Sequence, residues 1–288
     1  MYLSVEGEKL YAYYKHFEKR FFRFLEKAKY KSRENDIHEF RISIKKIKGI
    51  YKLIDLLTDE FDNQEHLLPI KRLFKPAGKI RESQVNMLLL KKIESEKKMT
   101  RHYTLSQKCN VKKYRKDFDK QIQDFSPKEL KRTRQIIKNY CKVFTRNQII
   151  NKSKEFVQER QGIIRDLLMQ KDNIDAIHKI RITLKEISAI LGLLVELEVE
   201  ELKPETLIEL KQYEDDIGLW HDYVILRESI DKFLNRTAYE DIEKRLELSL
   251  LIEDIRDEEN DFTATLSSFV EGAFDIIEKG FTTPLNTT

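Results

Sequence analysis

The fold is decided by the stretch IHEFRISIK, residues 37–45, because the chain repeats it 140 residues later as IHKIRITLK, residues 177–185. The histidine, the arginine and the final lysine are identical in the two copies, and the apolar positions between them match in type. A match of this kind at so large a separation indicates that the chain contains an internal repeat.

Further landmarks recur at the same offset. The pairs are Gly78 with Gly218, Arg81 with His221, Glu82 with Asp222, Val85 with Ile225, and Ile136-Ile137 with Ile276-Ile277. One shift that aligns so much of the chain predicts two copies of one unit, at residues 8–140 and 148–280. We therefore distinguish a first half, residues 1–146, from a second half, residues 147–288, and expect the two together to form one domain.

The composition favours an all-helical fold. Glu, Lys, Leu and Ile dominate, and the 288 residues include only 8 glycines and 5 prolines, which is few for a turn-rich β fold. Helix starts are indicated at Asn35-Asp36, Ser126-Pro127 and Pro204, and Pro76 is expected to kink its helix. The predicted helices span residues 6–30, 36–58, 65–98, 104–123 and 127–146, then 150–170, 175–198, 204–236, 238–262 and 264–279.

Charge is distributed very unevenly along the chain. The first half carries 37 Lys and Arg against 19 Asp and Glu, a net charge of +18, whereas the second half carries 17 against 31, a net charge of −14. Two explanations stay open at this point. The first half could bind a polyanion, or the opposite charges could hold the two halves together.

The helix that begins near Ile37 carries a basic stripe along one edge, beside its apolar face. Its members, spaced by 3, 4, 3 and 4 residues, are His38, Arg41, Lys45, Lys48 and Lys52. Like charges at these spacings repel one another, so a file of them indicates a use for the positive field. The planar fork of an arginine and the mobile charges of lysines suit an extended chain of phosphates.

Neighbouring predicted helices extend this basic surface. The added candidates are Lys71, Lys75, Lys79 and Arg81 on the third helix and Lys138 on the fifth. The second half keeps His178, Arg181, Lys185 and Lys211 but loses the stripe at Ser188 and Gly192 and gains acidic residues. We therefore expect the first half to supply most of the affinity for an anion.

Simpler interpretations stay open beside this one. The stripe could be an ordinary solvated face, and His38 and His178 could be capping or core histidines, or could meet at a metal ion. No further His, Cys or Asp stands at ligand spacing, so no metal or other cofactor is expected. No nucleophile elbow, phosphate loop or metallohydrolase motif is present, so no enzymatic activity is expected.

The sequence also predicts where the protein resides. It has no apolar stretch long enough to span a membrane and no signal peptide, and its two cysteines follow no disulfide or metal spacing. We therefore expect a cytoplasmic protein without membrane contact.

The repeated motif resembles a known family. The pattern His38-x-x-Arg41-x-x-x-Lys45, followed by Gly78-x-x-Arg81, is similar to that of the CHAD domain, the conserved histidine α-helical domain. The resemblance implies two antiparallel helical bundles, related by pseudo-twofold symmetry and packed around a basic groove or pore. It also implies a non-enzymatic, stand-alone binder of inorganic polyphosphate that associates with polyphosphate granules, with sulfate or phosphate able to mimic the ligand.

The resemblance assigns phosphate contacts to residues of both halves. Two departures from the family pattern are His221, where an arginine is usual, and Glu82, where an aspartate is usual. We keep His221 among the candidates, beside Lys52, Lys71, Lys75, Lys79, Lys138 and Lys211 from the stripe geometry. The contacts carried over from the family fall on His38, Arg41, Lys45, Lys48, Arg81, His178, Arg181 and Lys185.

Other functions compete with this one. The acidic second half could recruit a basic protein, which would make the chain an adaptor between proteins, and the histidines leave a metal-binding module as a further alternative. Nucleic acid is a less expected partner, and an enzyme acting on polyphosphate is the least expected function.

Overall fold

A computed structural model describes residues 4–30, 34–93, 100–171, 173–198, 202–236 and 242–281. Within these ranges the regular structure is helical, which confirms the predicted fold class. None of the described helices combines the length and apolarity needed to cross a bilayer. The helices are α1 (Val5–Tyr30), α2 (Glu34–Leu57), α3 (Asn63–Ile93), α4 (Thr100–Asp124), α5 (Pro127–Tyr140), α6 (Arg146–Leu168), α7 (Ile174–Glu196), α8 (Pro204–Arg236) and α9 (Ile242–Gly280).

The order of helices recurs along the chain. The starts of α2 and α7 lie 140 residues apart, and the starts of α3 and α8 lie 141 apart. The predicted starts at Pro127 and Pro204 are confirmed, whereas α2 begins at Glu34, ahead of the predicted cap at Asn35-Asp36. The helix predicted over 127–146 ends at Tyr140, because α6 starts at Arg146 behind a capping box formed by Thr145 and Gln148.

The prediction of two separate helices over 238–262 and 264–279 is wrong, because α9 is a single helix through Ile242–Gly280. In the first half Pro127 forces a new helix to begin, since proline has no N–H to continue the previous one. No proline stands at the equivalent place in the second half. The hydroxyls there bond back to carbonyls of α9 instead, Thr263 to Glu259 at 2.8 Å and Ser268 to Thr265 at 2.9 Å, so they do not cap a new helix.

Helices α2 and α7 form the centre of the fold. Helix α2 packs against α1, α3, α6 and α7, and α7 also packs against α6 and α8. The predicted core face of α2 is confirmed, since its six members are at most 1% exposed, and the six equivalent residues of α7 are buried equally well. These residues are Ile37, Phe40, Ile44, Ile47, Tyr51 and Ile54 on α2 and Ile177, Ile180, Leu184, Ile187, Leu191 and Leu194 on α7.

The two central helices approach each other closely at Gly49. A Cβ added there would lie 3.5 Å from Cβ of Ala189, which is the equivalent position of the second half. Contact between a position and its own equivalent is what a twofold axis between the two copies requires. The pseudo-twofold relation and the division into two repeats stay predictions. The apolar core nevertheless runs without interruption through both halves.

We expect two Gly→Ala changes in helices to have opposite effects on stability. Gly49→Ala adds a methyl group at ordinary contact distance from Ala189 and removes a helix-destabilising glycine, so the free energy of unfolding should rise by about 0.5–1 kcal/mol. Gly7→Ala would place its Cβ 1.8 Å from the backbone oxygen of Cys141, so unfolding should become easier by about 1–3 kcal/mol. Urea titrations of the two variants measure both values, and a stabilised Gly7→Ala variant would contradict the packing of α1.

Candidate anion-binding site

Cationic residues of the two halves meet where α2, α3, α7 and α8 pack together. Lys45 shows this most directly, since burial and the positive charges of Lys185, Arg41 and Arg181 lower its pKa to about 8. Its side chain is nevertheless exposed to solvent, so a ligand can reach it. We call this group the central basic cluster, and its members are His38, Arg41, Lys45 and Arg81 from the first half and His178, Arg181, Lys185 and His221 from the second.

Arg41 is held in one place by its neighbours on α3. Its Nη1 donates a hydrogen bond to the carbonyl oxygen of Phe74 at 3.2 Å, and its guanidinium carbon lies 4.1 Å from the centre of the Phe74 ring. A Cβ on Gly78 would lie 2.7 Å from that Nη1, so the absence of a side chain at Gly78 makes room for the guanidinium. Burial and the charge of Arg81 lower the pKa of Arg41 to about 10, which leaves it charged at neutral pH.

Arg81, which belongs to α3, and His38 both lie near the start of α2. Nη1 of Arg81 donates to Oε1 of Glu34 at 2.6 Å, so this arginine already has a carboxylate partner. Partial burial and the charge of Arg81 lower the pKa of His38, which favours its neutral form. At neutral pH, His38 therefore offers a hydrogen bond to an anion and adds no charge.

Arg181 has fewer hydrogen-bond partners within the described ranges than its equivalent Arg41. Its Nε is buried and has no hydrogen-bond partner among the described residues, although Asp222 and Glu214 lie close enough to act on its charge. A Cβ on Gly218 would meet nothing within 4 Å, so no guanidinium fills the gap that Arg41 fills at Gly78. A buried N–H without a partner lowers stability, which is acceptable where an external acceptor completes the site.

His178 and His221 touch each other across α7 and α8. Their Nδ1 atoms lie 3.3 Å apart and their ring centres 4.6 Å apart. Burial, reinforced by the positive charge of Arg181, lowers the pKa of both imidazoles, that of His221 to about 3. A meeting of His38 with His178 was left open by the sequence, but the contact seen at His178 is with His221 instead. No group of three His, Cys, Asp or Glu side chains within the described ranges could hold a metal ion.

The α2 stripe stays largely free of carboxylates. No ion pair or hydrogen bond to a carboxylate engages Arg41, Lys45 or Lys48 within the part of the chain that the structure describes. Lys52 is the exception, because its Nζ lies 3.3 Å from Asp55 and 5.6 Å from the ring centre of Phe156 on α6. Lys52 is thus the stripe member whose charge is already partnered.

The remaining candidates lie outside the central basic cluster. Lys211 forms an ion pair with Asp215 on the same helix. Lys79 lies 5.2 Å from the ring centre of Tyr114 on α4. Lys71 and Lys75 are exposed on α3 and Lys138 is half-buried on α5, and among the described contacts none links them to the cluster.

Two features of the site were not found from the sequence. Phe74 supports Arg41, and the charge of Lys185 acts on Lys45, but neither interaction leaves a periodic pattern in the chain. Arg41 lies 33 residues before Phe74, and Lys45 lies in the other half from Lys185. For the second interaction the available signal was the 140-residue offset, which pairs Lys45 with Lys185.

Comparison with known proteins places the fold. No family model matches the chain, and no curated protein matches it in sequence. The crystal structure of the CHAD domain from the plant Ricinus communis is similar to it, with a TM-score of 0.68 and 12% identity over 96% of this chain and 92% of that one. The chain therefore has the fold of a CHAD domain.

We expect the equivalent glycines of the two halves to respond differently to a methyl group. Gly78→Ala displaces the guanidinium of Arg41 from Phe74, so the affinity for tripolyphosphate should fall severalfold. Only a side-chain end has to move, so the free energy of unfolding should change by less than about 1 kcal/mol. Gly218→Ala meets open space and is the matched control, with unchanged affinity. Calorimetric titration gives both affinities, and equal values would contradict a role for the position of Arg41.

Proposed function

We propose that the chain is a non-catalytic binder of inorganic polyphosphate and that the central basic cluster is its binding site. The observation that carries the proposal is the position of Lys45, which lies among Arg41, Arg181 and Lys185 and forms no ion pair with a described residue. Bringing like charges together in this way is unfavourable in the free protein. A polyanion removes that repulsion when it binds, so the cluster favours a ligand of high negative charge.

Polyphosphate fits the shape of this surface. From Arg41 to Lys48 the stripe runs for about 10 Å along α2, at a rise of about 1.5 Å per residue, which is longer than a single phosphate. The fixed guanidinium of Arg41 can hold one phosphate in a defined orientation, while the lysines follow the flexible chain. A ligand with many linked phosphates would therefore contact several members of the cluster at once.

The fold supports the same proposal. A CHAD-domain fold agrees with the family resemblance carried by the repeated motif, and that resemblance implies polyphosphate as the ligand. The cluster supplies positive charge and hydrogen-bond donors, which are enough to bind phosphate. In the cell, such a protein would scaffold polyphosphate or localise to its granules in the cytoplasm.

We expect the two halves to contribute unequally, which matched double variants test. Arg41→Ala with Lys45→Ala should weaken polyphosphate binding at least about tenfold, since charge-assisted contacts contribute about 1.5–3 kcal/mol each. Arg181→Ala with Lys185→Ala removes the equivalent charges and should weaken it less. Two carboxylates, Glu214 and Asp222, act on each of these side chains, whereas Glu82 acts on Arg41 and Glu214 on Lys45. Fluorescence titration with polyphosphate at several salt concentrations measures these affinities, which should fall steeply with salt.

Three results would count against this model. Equal losses from the two double variants would contradict the unequal contribution of the halves. Equal competition by length-matched single-stranded RNA, at the same phosphate concentration, would favour nucleic acid over polyphosphate. Absence of binding by the unmodified protein at low salt would overturn the proposed function.

We also expect the affinity to fall as the pH rises above about 8. The free protein loses the charge of Lys45 there because its pKa is lowered to about 8, whereas the bound anion favours the charged form. Binding above that pH must therefore take up a proton, and one proton limits the loss of affinity to about tenfold per pH unit. Lys45→Arg keeps its charge and should remove most of the decline. Titrations at about pH 7 and about pH 9 compare the two proteins, and an equal decline in both would refute the role of Lys45.

A further inference from the structure

The contact between His178 and His221 limits how many protons the two imidazoles can hold. Their Nδ1 atoms are 3.3 Å apart, so one Nδ1–H donates to the other Nδ1, which must carry a lone pair. The pair can then be neutral, or it can carry one extra proton on the outer Nε2 of the donor ring. A second extra proton would break the hydrogen bond and place two like charges in contact. The pair therefore switches between a net charge of zero and one.

The charges around the pair keep it neutral in the free protein. On α7, Arg181 and Lys185 oppose protonation of both imidazoles, and Asp175 favours it at His178. The carboxylates of α8 that act on those two cations are Asp222 and Glu214. Lys45 on α2 adds its positive charge beside Arg181 and Lys185, and Arg81 on α3 acts on Asp222. Burial works in the same direction as the cations.

The two halves differ at this point in the type of positive charge. The first half has Arg81 where the second half has His221. An arginine that is always charged is thus replaced by a histidine that is charged only after it takes up a proton. Arg181 stands next to the pair, and its buried Nε has no hydrogen-bond partner in the part of the chain that the structure describes. A phosphate that accepts from Arg181 and Lys185 would cancel much of the field that keeps the imidazoles neutral. It would also offer an acceptor for a protonated Nε2.

We propose that binding of a polyanion to the second half is coupled to the uptake of one proton by the His178–His221 pair. This inference rests on the proposed function and adds a regulation to it. In the first half, Arg41 and Arg81 keep their positive charges across the neutral and acidic range. The second half gains its full positive charge only as the pH falls, so the protein holds polyphosphate more tightly in acid.

The experiment is a calorimetric titration with long-chain polyphosphate at about pH 7.5 and about pH 5.5. The internal phosphates of a long chain keep their charge over this range, so the ligand itself contributes little. Parallel titrations in two buffers with different ionisation enthalpies give the number of protons taken up. The unmodified protein is compared with three variants: the double variant His178→Gln with His221→Gln, the single variant His221→Arg, and the control His16→Gln, which changes an exposed histidine of α1 outside the central basic cluster. Circular dichroism checks that each variant is folded.

We expect the unmodified protein to take up close to one proton and to bind at least about fivefold more tightly at the lower pH, within the limit of about tenfold per pH unit that one proton sets. His16→Gln should keep this dependence. The double variant, which removes both imidazoles, should bind at the weaker level at both pH values, and His221→Arg at the tighter level at both. Both of these variants should lose the proton uptake.

Two other results would overturn the inference in different ways. If the double variant and His221→Arg keep the pH dependence of the unmodified protein, the pair does not take up the proton, and the proposed function stands. If the unmodified protein binds no polyphosphate at either pH, the proposed function fails and the coupling fails with it.

Discussion

The contact between α2 and α7 is the constraint on which the rest of the structure depends. Both helices bury a complete apolar face, and Gly49 lets them approach at Ala189. The basic edge of each helix lies beside its apolar face, so burying the two faces brings the two edges together. The apolar core stabilises the fold by enough to offset the resulting repulsion among Arg41, Lys45 and Lys185, and the concentrated positive charge follows from packing alone.

The two halves of the chain carry different side chains at the positions that the 140-residue offset pairs. In the first half Arg41 rests on Phe74 beside Gly78, and Arg81 is tied to Glu34, so the cations are fixed before any ligand arrives. A fixed cation loses little conformational entropy on binding. In the second half, the Nε of Arg181 has no hydrogen-bond partner among the described residues, and the space beside Gly218 is open. Protein contacts thus fix the arginines of the first half, whereas Arg181 keeps a free donor in the second half.

The sequence predicted what depends on periodicity and missed what depends on contact between distant residues. The core face of α2 from Ile37 to Ile54 followed from residue spacing, because burial needs only one apolar side. The continuous helix α9 was missed because serine and threonine favour helix caps but can also bond back within a helix, and the chain cannot show which will happen. The meeting of His178 with His221 was missed for a related reason. It joins residues 43 positions apart on two helices, where no periodic signal exists.

The structure also bears on the two explanations of the uneven charge. The most buried ion pairs join residues of the same half, Glu18 with Arg134 at 3.1 Å and Arg227 with Glu259 at 2.8 Å. Within the described ranges, the ion pair that crosses between the halves is Lys9 with Glu198. Its side chains are 34% and 77% exposed, and exposed pairs contribute little to stability. Apolar contacts of α2 with α7, and of the ends of α3 and α8, join the halves instead. The positive charge of the first half is therefore not used up in holding the domain together. Under the proposed function, this positive charge is available to a polyanion at the central basic cluster, where the two halves meet, and the acidic second half would repel that polyanion elsewhere.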